Sequence, residues 1–436
     1  MKKSMILLSG LLAVLMLIPS VSIFATGGQE KTGPATLTLW YPAGEITATS
    51  LPFRDGSNPW TAFEAENNCK VEVVAIDYET MKQKVLTALA GGKAPDIGMI
   101  DGSWMGAFVK DGALVEIPAA DAQEWLKGVS PDIRALSDWG GGKMYGYPSW
   151  GEDAYALTWN IEMFQKAGLK PDMAPATLDD FREYSKKLTV TEGGEIKRVG
   201  YALRHVGQPH GIVDKWDWLS IASGVKYVDP PTSLTGGKSV FNTPSTRDAF
   251  QAAHDMIYVD KSSSTDFPDP RECLLKGLAA MQISEVISIQ VRQPREAPNL
   301  KWAFAPPPAY KGGKPAVHTA AWQYSVFSPS PNKELALKAV KWFNNKKMDF
   351  DQAKKYKSTP RWTENWNSEP FVSDPYTKQF LSLLPYGQPY PKHLALPGVM
   401  EALGAGIQKI LHDEMSVADA LAEAEKKANA AIKAVQ

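Results

Sequence analysis

Between Leu37 and Asp101 the chain alternates strand-like and helix-like stretches, and this confines it to an α/β layer. Leu37-Thr38-Leu39-Trp40-Tyr41 has the two-residue apolar period of a strand and runs into the loop Pro42-Ala43-Gly44-Glu45. Asn58 and Pro59 then start a helix, and Val71-Glu72-Val73-Val74-Ala75-Ile76 is a second strand. Tyr78, Met81, Val85 and Leu89 mark one face of a helix that Gly91-Gly92 stops. Asp96-Ile97-Gly98-Met99-Ile100-Asp101 is a short buried strand with Asp101 at its carboxyl end. A strand–helix–strand crossover of this length implies parallel neighbours covered by helices.

The same vocabulary continues. Thr177-Leu178-Asp179-Asp180 is a capping box before a helix carrying Phe181, Tyr184 and Leu188. Asn332 precedes a run through Leu337, Val340 and Phe343, and Met400, Leu403, Ile407 and Ile410 stripe another helix. Ser416 caps an Ala-rich last helix, and strands are expected at 280–283 and 323–327. With 436 residues the chain has core enough for two medium lobes, and 47 basic against 48 acidic residues leave no electrostatic reason to expect nucleic acid as a partner. Fourteen Trp and 32 Pro suit a site assembled from loops and rigid aromatic planes.

Lys2 and Lys3 precede an apolar run from Met5 to Ile18, then Pro19 and Ile23-Phe24-Ala25, which reads as a secretory signal peptide over residues 1–25. A spanning helix needs about 20 apolar residues, and this run is shorter. The mature protein is therefore expected to be exported, periplasmic or otherwise extracytoplasmic. Cys69 and Cys273 could pair in an oxidising compartment, although a chain of this size needs no such staple.

Five further stretches carry a resemblance. Phe63-Glu64-Ala65-Glu66-Asn67 leads to Val71-Glu72-Val73. Leu86-Thr87-Ala88-Leu89-Ala90-Gly91-Gly92-Lys93-Ala94-Pro95-Asp96-Ile97 joins a helix, a Gly stop and a Pro-Asp start to a strand. Gly146-Tyr147-Pro148 is followed by Leu157-Thr158-Trp159-Asn160-Ile161-Glu162-Met163-Phe164. Lys276-Gly277-Leu278-Ala279-Ala280-Met281 and Ser330-Pro331-Asn332-Lys333-Glu334-Leu335 complete the set. In this order they resemble the family 1 extracellular solute-binding proteins of ABC importers, the group that includes maltose-binding protein.

The resemblance implies a two-lobed periplasmic-binding-protein fold of type II, with hinge-linked lobes and a ligand cleft between them. It places chain crossings near 147–154, 300 and 346. An N-terminal lobe would then hold 35–148 and 302–345, and a C-terminal lobe 149–301 and 346–436. It implies a monomer that captures a mono- or oligosaccharide and delivers it to a membrane permease, with no catalysis, cofactor or metal. One departure stands out. Many sugar binders of the family carry Gly, Pro and Trp after the Ala-Met strand, where this chain has Ser284-Glu285-Val286-Ile287, so a carboxylate stands in place of a stacking ring.

A sugar site needs flat apolar surface for C–H faces and convergent polar groups for hydroxyls, because a buried unpaired hydroxyl costs about 1–3 kcal/mol. Candidates at strand ends and loops are Trp40, Tyr41, Asp101, Ser103, Trp104 and, at the first crossing, Trp150 with Glu152 or Asp153. The other candidates are Trp216, Trp218, Glu285, Trp322, Tyr324, Arg361 and Trp362. Any single Trp among these has a bland reading as core, and Trp159 is expected there. Two alternatives remain open: a secreted carbohydrate-active enzyme using Asp101 with Glu152 or Asp153, and a binder of a non-sugar solute such as a polyol phosphate. Thr235-Gly236-Gly237-Lys238-Ser239 lacks the leading Gly of a phosphate loop and suits a hairpin turn. His205 and His210 are wrongly spaced for two zinc ligands on one helix face.

Overall fold

The computed structural model describes residues 33–43, 52–53, 56–149, 153–231 and 234–436. The signal-peptide segment, the Gly44-Glu45 part of the first loop, Trp150 and Glu152 lie outside the described residues. The strands are, in chain order, β1 (Ala35–Ala43), β2 (Cys69–Asp77), β3 (Ile97–Asp101), β4 (Tyr147–Pro148), β5 (Asp153–Asn160), β6 (Val190–Glu192) and β7 (Glu195–Ala202). They continue as β8 (Lys226–Asp229), β9 (Lys238–Val240), β10 (Ala279–Glu285), β11 (Trp302–Ala305), β12 (Val317–Ala320), β13 (Trp322–Val326) and β14 (Gly387–Pro389).

Two sheets organise the molecule. One has the order β2-β1-β3-β13-β4, with β1 parallel to both neighbours, as the crossover length requires. The other runs β14-β12-β5-β10-β7-β6, with β11 also on β5. Each carries its own large apolar core, so the fold is two-lobed. In β1 the side chains of Leu37, Leu39 and Tyr41 turn inward while their alternates face the other way.

Local sequence explains the joints. The helix Tyr78–Ala90 buries Met81 and Val85, and Gly92, at φ +64°, closes it. There the Lys93 N–H donates to the Ala88 carbonyl at 2.8 Å and the Gly92 N–H to the Leu89 carbonyl at 3.1 Å, the two bonds of a Schellman cap. The Pro-Asp that follows is a structural fastening. Asp96 accepts from the Thr38 N–H at 2.8 Å, from the Ser330 hydroxyl at 2.5 Å and from the Asn332 amide at 3.2 Å, tying β1, β3 and the loop after β13 together. Thr177 and Asp180 form the expected reciprocal cap, and β8 and β9 form the hairpin expected around Gly236-Gly237. Met400, Leu403, Ile407 and Ile410 are fully buried in the second core.

One expectation differs from the observed pairing. Strands β11 and β12, assigned by sequence with the first lobe, both pair with β5 in the second sheet, so the chain returns to the first sheet only between Ala320 and Trp322. Their alternation fixes which face is buried but not which sheet they join. The cysteines stay free and buried, Cys69 in the first core and Cys273 in a separate apolar cluster of the second half.

Candidate ligand cleft between the two sheets

A cavity of about 380 Å³ opens between the lobes. From the first sheet it receives the ends of β1 (Pro42, Ala43), β2 (Asp77) and β3 (Asp101), the first residues of the helix Tyr78–Ala90, and Trp322 at the start of β13. From the second it receives Tyr155 of β5, the loop Leu203–Gly207 after β7, Asp214 and Lys215 of the helix Pro209–Ala222, Asp269, Arg271, Glu285 and Ser288. Carboxyl ends of strands in an open α/β sheet leave their loops free, which is why the cleft forms there.

The second wall is a charge network. The Lys215 ammonium donates to Glu285 Oε1 at 2.6 Å, the Tyr155 hydroxyl donates to the same oxygen at 3.1 Å, and Arg271 stands 3.9 Å from Oε2. Asp269 joins Arg271 at 2.9 Å and Arg204 at 3.2 Å. Burial would push the Glu285 carboxyl up, but Lys215 and Arg271 outweigh it and hold the group down at about 2. Asp269, buried among Arg271, Lys215 and Arg204, is likewise held well below the usual carboxylate range. Asp214 goes the other way: burial raises it to about 7, although the Tyr390 hydroxyl donates to it at 2.7 Å and His318 lies 3.6 Å away.

The first wall contributes rings and the carboxylates of Asp77, Glu79 and Asp101. Trp322 meets Tyr78 and Trp104 edge to face at 5.9 and 5.5 Å between centroids. Asp101 Oδ1 accepts from both the Ser103 N–H (2.9 Å) and its hydroxyl (2.7 Å). Contacts across the cleft join the walls. Tyr78 Oη lies 2.9 Å from His210 Nε2, the Trp104 indole N–H donates to that nitrogen at 3.3 Å, and Arg204 reaches Glu79 at 3.3 Å. An indole N–H only donates, so His210 Nε2 is an acceptor and the ring proton sits on Nδ1. Burial lowers this imidazole to about 4, which keeps it neutral, and its 3.9 Å approach to Asp101 Oδ2 is no ion pair at neutral pH.

Of the sequence candidates, Asp101, Glu285 and Trp322 meet in this cavity. Trp216 and Trp218 do not, because both are core of the second lobe, the Trp216 indole donating to the Arg204 carbonyl at 2.9 Å. Tyr324 is core of the first, and Tyr41 is buried there beside Phe53 at 5.0 Å. Trp40 packs half-buried on the same core. Trp104 and Ser103 lie beneath the cavity, one supporting His210 and the other holding Asp101. Arg361 is buried against Asp349 at 2.9 Å and also binds the Pro148 carbonyl, and Trp362 stacks edge-on to Trp125 at 5.4 Å while donating to the Asn344 carbonyl. These two fasten the late loop to the first lobe and do not face the cavity. Of the remaining candidates, Asp153 begins β5, but its side chain, like Trp150 and Glu152, is outside the described residues.

Sequence reasoning missed Tyr78, Tyr155, Arg204, Asp214, Lys215, Asp269 and Arg271. A signal existed for Asp214: it follows His210 by one helical turn, so both share the face turned to the cleft. Tyr78 opens the helix that starts at the end of β2.

Two α/β lobes with a polar, ring-bearing cavity between the carboxyl ends of their strands define a cleft-type solute-binding protein. The chain belongs to the bacterial extracellular solute-binding protein family, whose model matches residues 55–349. A protein of Brucella abortus described as a binding protein is 25% identical over 336 residues, 74% of this chain and 75% of that one. The maltotriose-binding protein of Pyrococcus abyssi is 22% identical over 348 residues, 79% of this chain and 71% of that one. Among solved structures, an ABC transporter solute-binding protein of Thermotoga lettingae bound with alpha-D-tagatose superposes with a TM-score of 0.80 at 23% identity, over 91% of this chain and 100% of that chain.

Proposed function

We propose that this protein captures a carbohydrate in the interlobe cleft, without altering it, and hands it to the permease of an ABC importer as a monomer outside the cytoplasm. The single observation carrying this reading is the lining: the Trp322, Tyr78 and Tyr155 rings beside the hydrogen-bonding groups of Asp101, Lys215, Glu285 and Ser288. Rings cover the C–H faces of a sugar while such groups satisfy its hydroxyls. Similarity to a protein named for binding maltotriose, and to one bound with alpha-D-tagatose, supports the same ligand class. The lobes in this reading are 35–148 with 321–345, and 153–320 with 375–436, hinged where the chain passes between them. A polyol phosphate suits the cleft less well, because Arg204, Lys215 and Arg271 are already engaged by Glu79, Asp269 and Glu285.

A thermal-shift screen over mono- and oligosaccharides tests this. A ligand present at 100 times its Kd stabilises by about 2.7 kcal/mol, so a bound sugar raises Tm and is recovered intact. Release of reducing ends from an oligosaccharide would instead establish the enzyme.

A further inference from the structure

Among the described residues the charges lining the cleft do not balance, and the imbalance has a direction. Arg204, Lys215 and Arg271 each have carboxylate partners at 3.3 Å or closer. Asp77, Asp101 and Asp214 have no Lys or Arg within ion-pair distance among the described residues, although all three line the cavity. Asp101 and Asp214 belong to opposite walls of the same cavity. Asp101 Oδ2 lies 3.9 Å from the His210 ring, and Asp214 stands one turn further along the His210 helix on the same face.

His210 cannot neutralise either, since its Nε2 is already the acceptor for Trp104 and Tyr78. Asp101 Oδ2 therefore keeps lone pairs with no hydrogen-bond donor among the described residues, while Oδ1 takes both bonds from Ser103. A second observation points into the same space. Ser288 lines the cavity at only 2% exposure, and its hydroxyl has no hydrogen-bond partner among the described residues. Two carboxylates on opposite walls of one cavity repel, and Asp101 adds to the upward shift of Asp214. Something that donates hydrogen bonds and carries positive charge removes that cost.

We infer that the solute carries an ammonium group, as in an amino sugar, which sits between Asp101 and Asp214 with Ser288 binding an adjacent hydroxyl. This rests on the carbohydrate reading and narrows it to the amine-bearing members of that class. Charge-assisted bonds are roughly twice as strong as neutral ones, and a positive ligand also relieves the repulsion between the two walls.

The test titrates the full chain by calorimetry with matched pairs: glucose and glucosamine, galactose and galactosamine, mannose and mannosamine, cellobiose and the chitosan dimer. Putrescine serves as a sugar-free diamine. The expected result is at least one pair in which the amine binds about tenfold or more tightly than its neutral partner. That preference falls to about threefold or less in both Asp101→Asn and Asp214→Asn, whose amides still accept from Ser103 and Tyr390 and keep the variants folded by circular dichroism. Neutral sugars binding as well as their amine partners would overturn the amine inference and leave the carbohydrate reading standing. Binding of putrescine without any sugar would overturn the carbohydrate reading and leave the ammonium site. No binding by any of these compounds, or an amine preference that survives both substitutions, would overturn the inference.

Discussion

The two walls of the cleft solve opposite problems. The second wall brings buried ions together and pairs them with one another: Lys215 with Glu285, and Asp269 with Arg271 and Arg204. The first wall presents rings held edge to face and, among its carboxylates, Asp101, which is half satisfied. A network already paired resists a new charge, so it can orient hydroxyls without seizing a single ion. The first wall has capacity left over, at Asp101 Oδ2 and at the Trp322 ring. The stability of this cleft therefore lives mainly on the second wall, whereas its ligand discrimination draws on both, through Asp101 and Trp322 on one side and Asp214 and Ser288 on the other.

The largest expected effect is Lys215→Met, which leaves Glu285 buried without its main partner. Breaking such a pair costs about 3–5 kcal/mol, and replacing both members by apolar residues costs less. Urea unfolding of the single and double variants measures both; equal losses would mean that the network is not what stiffens the second wall.

Next comes Asp214→Asn. Burial raises this carboxyl to about 7 from an ordinary value near 4, so its favourable contribution is complete at pH 4 and is lost as the pH climbs through 7. The Asn variant has no such loss. Its stability relative to the parent therefore grows between pH 4 and pH 8, by up to about 4 kcal/mol for a shift of this size. Thermal unfolding across that range checks the sign, and a flat difference would contradict it.

A smaller effect is expected for Tyr78→Phe, which removes one hydroxyl from the His210 bridge between the walls. The cost is about 1 kcal/mol, seen as a lower Tm without ligand. The smallest is Asp101→Asn, whose stability stays within about 1 kcal/mol of the parent because Ser103 keeps its acceptor. A large loss there would make Asp101 a structural group of the first wall, not a spare one.

Much of this architecture is legible in the residues. The Gly91-Gly92 stop, the Pro95-Asp96 fastening, the Thr177 cap and the stripe from Met400 to Ile410 are local patterns with one physical solution each, and the structure contains them all. The cleft residues are harder. Trp216 and Trp218 attract notice as rings, yet a large apolar ring is most often worth more in a core, and it is Asp214 and Lys215 just before them that face the cavity. Arg361 reads as a ligand group after Pro360, but its partner Asp349 lies on a helix before it and is revealed only by folding. The sheet joined by β11 and β12 is set by tertiary pairing, which no period in the sequence encodes.

The most direct measurement is a crystal structure of the protein with the tightest-binding sugar from the screen. The expected result is an unaltered sugar between the walls, stacked on Trp322, with Asp101 and Glu285 or Lys215 within hydrogen-bond distance. A sugar seated elsewhere, for example in the surface pocket beside Tyr310 and Arg182, or one cleaved within the cleft, would contradict it.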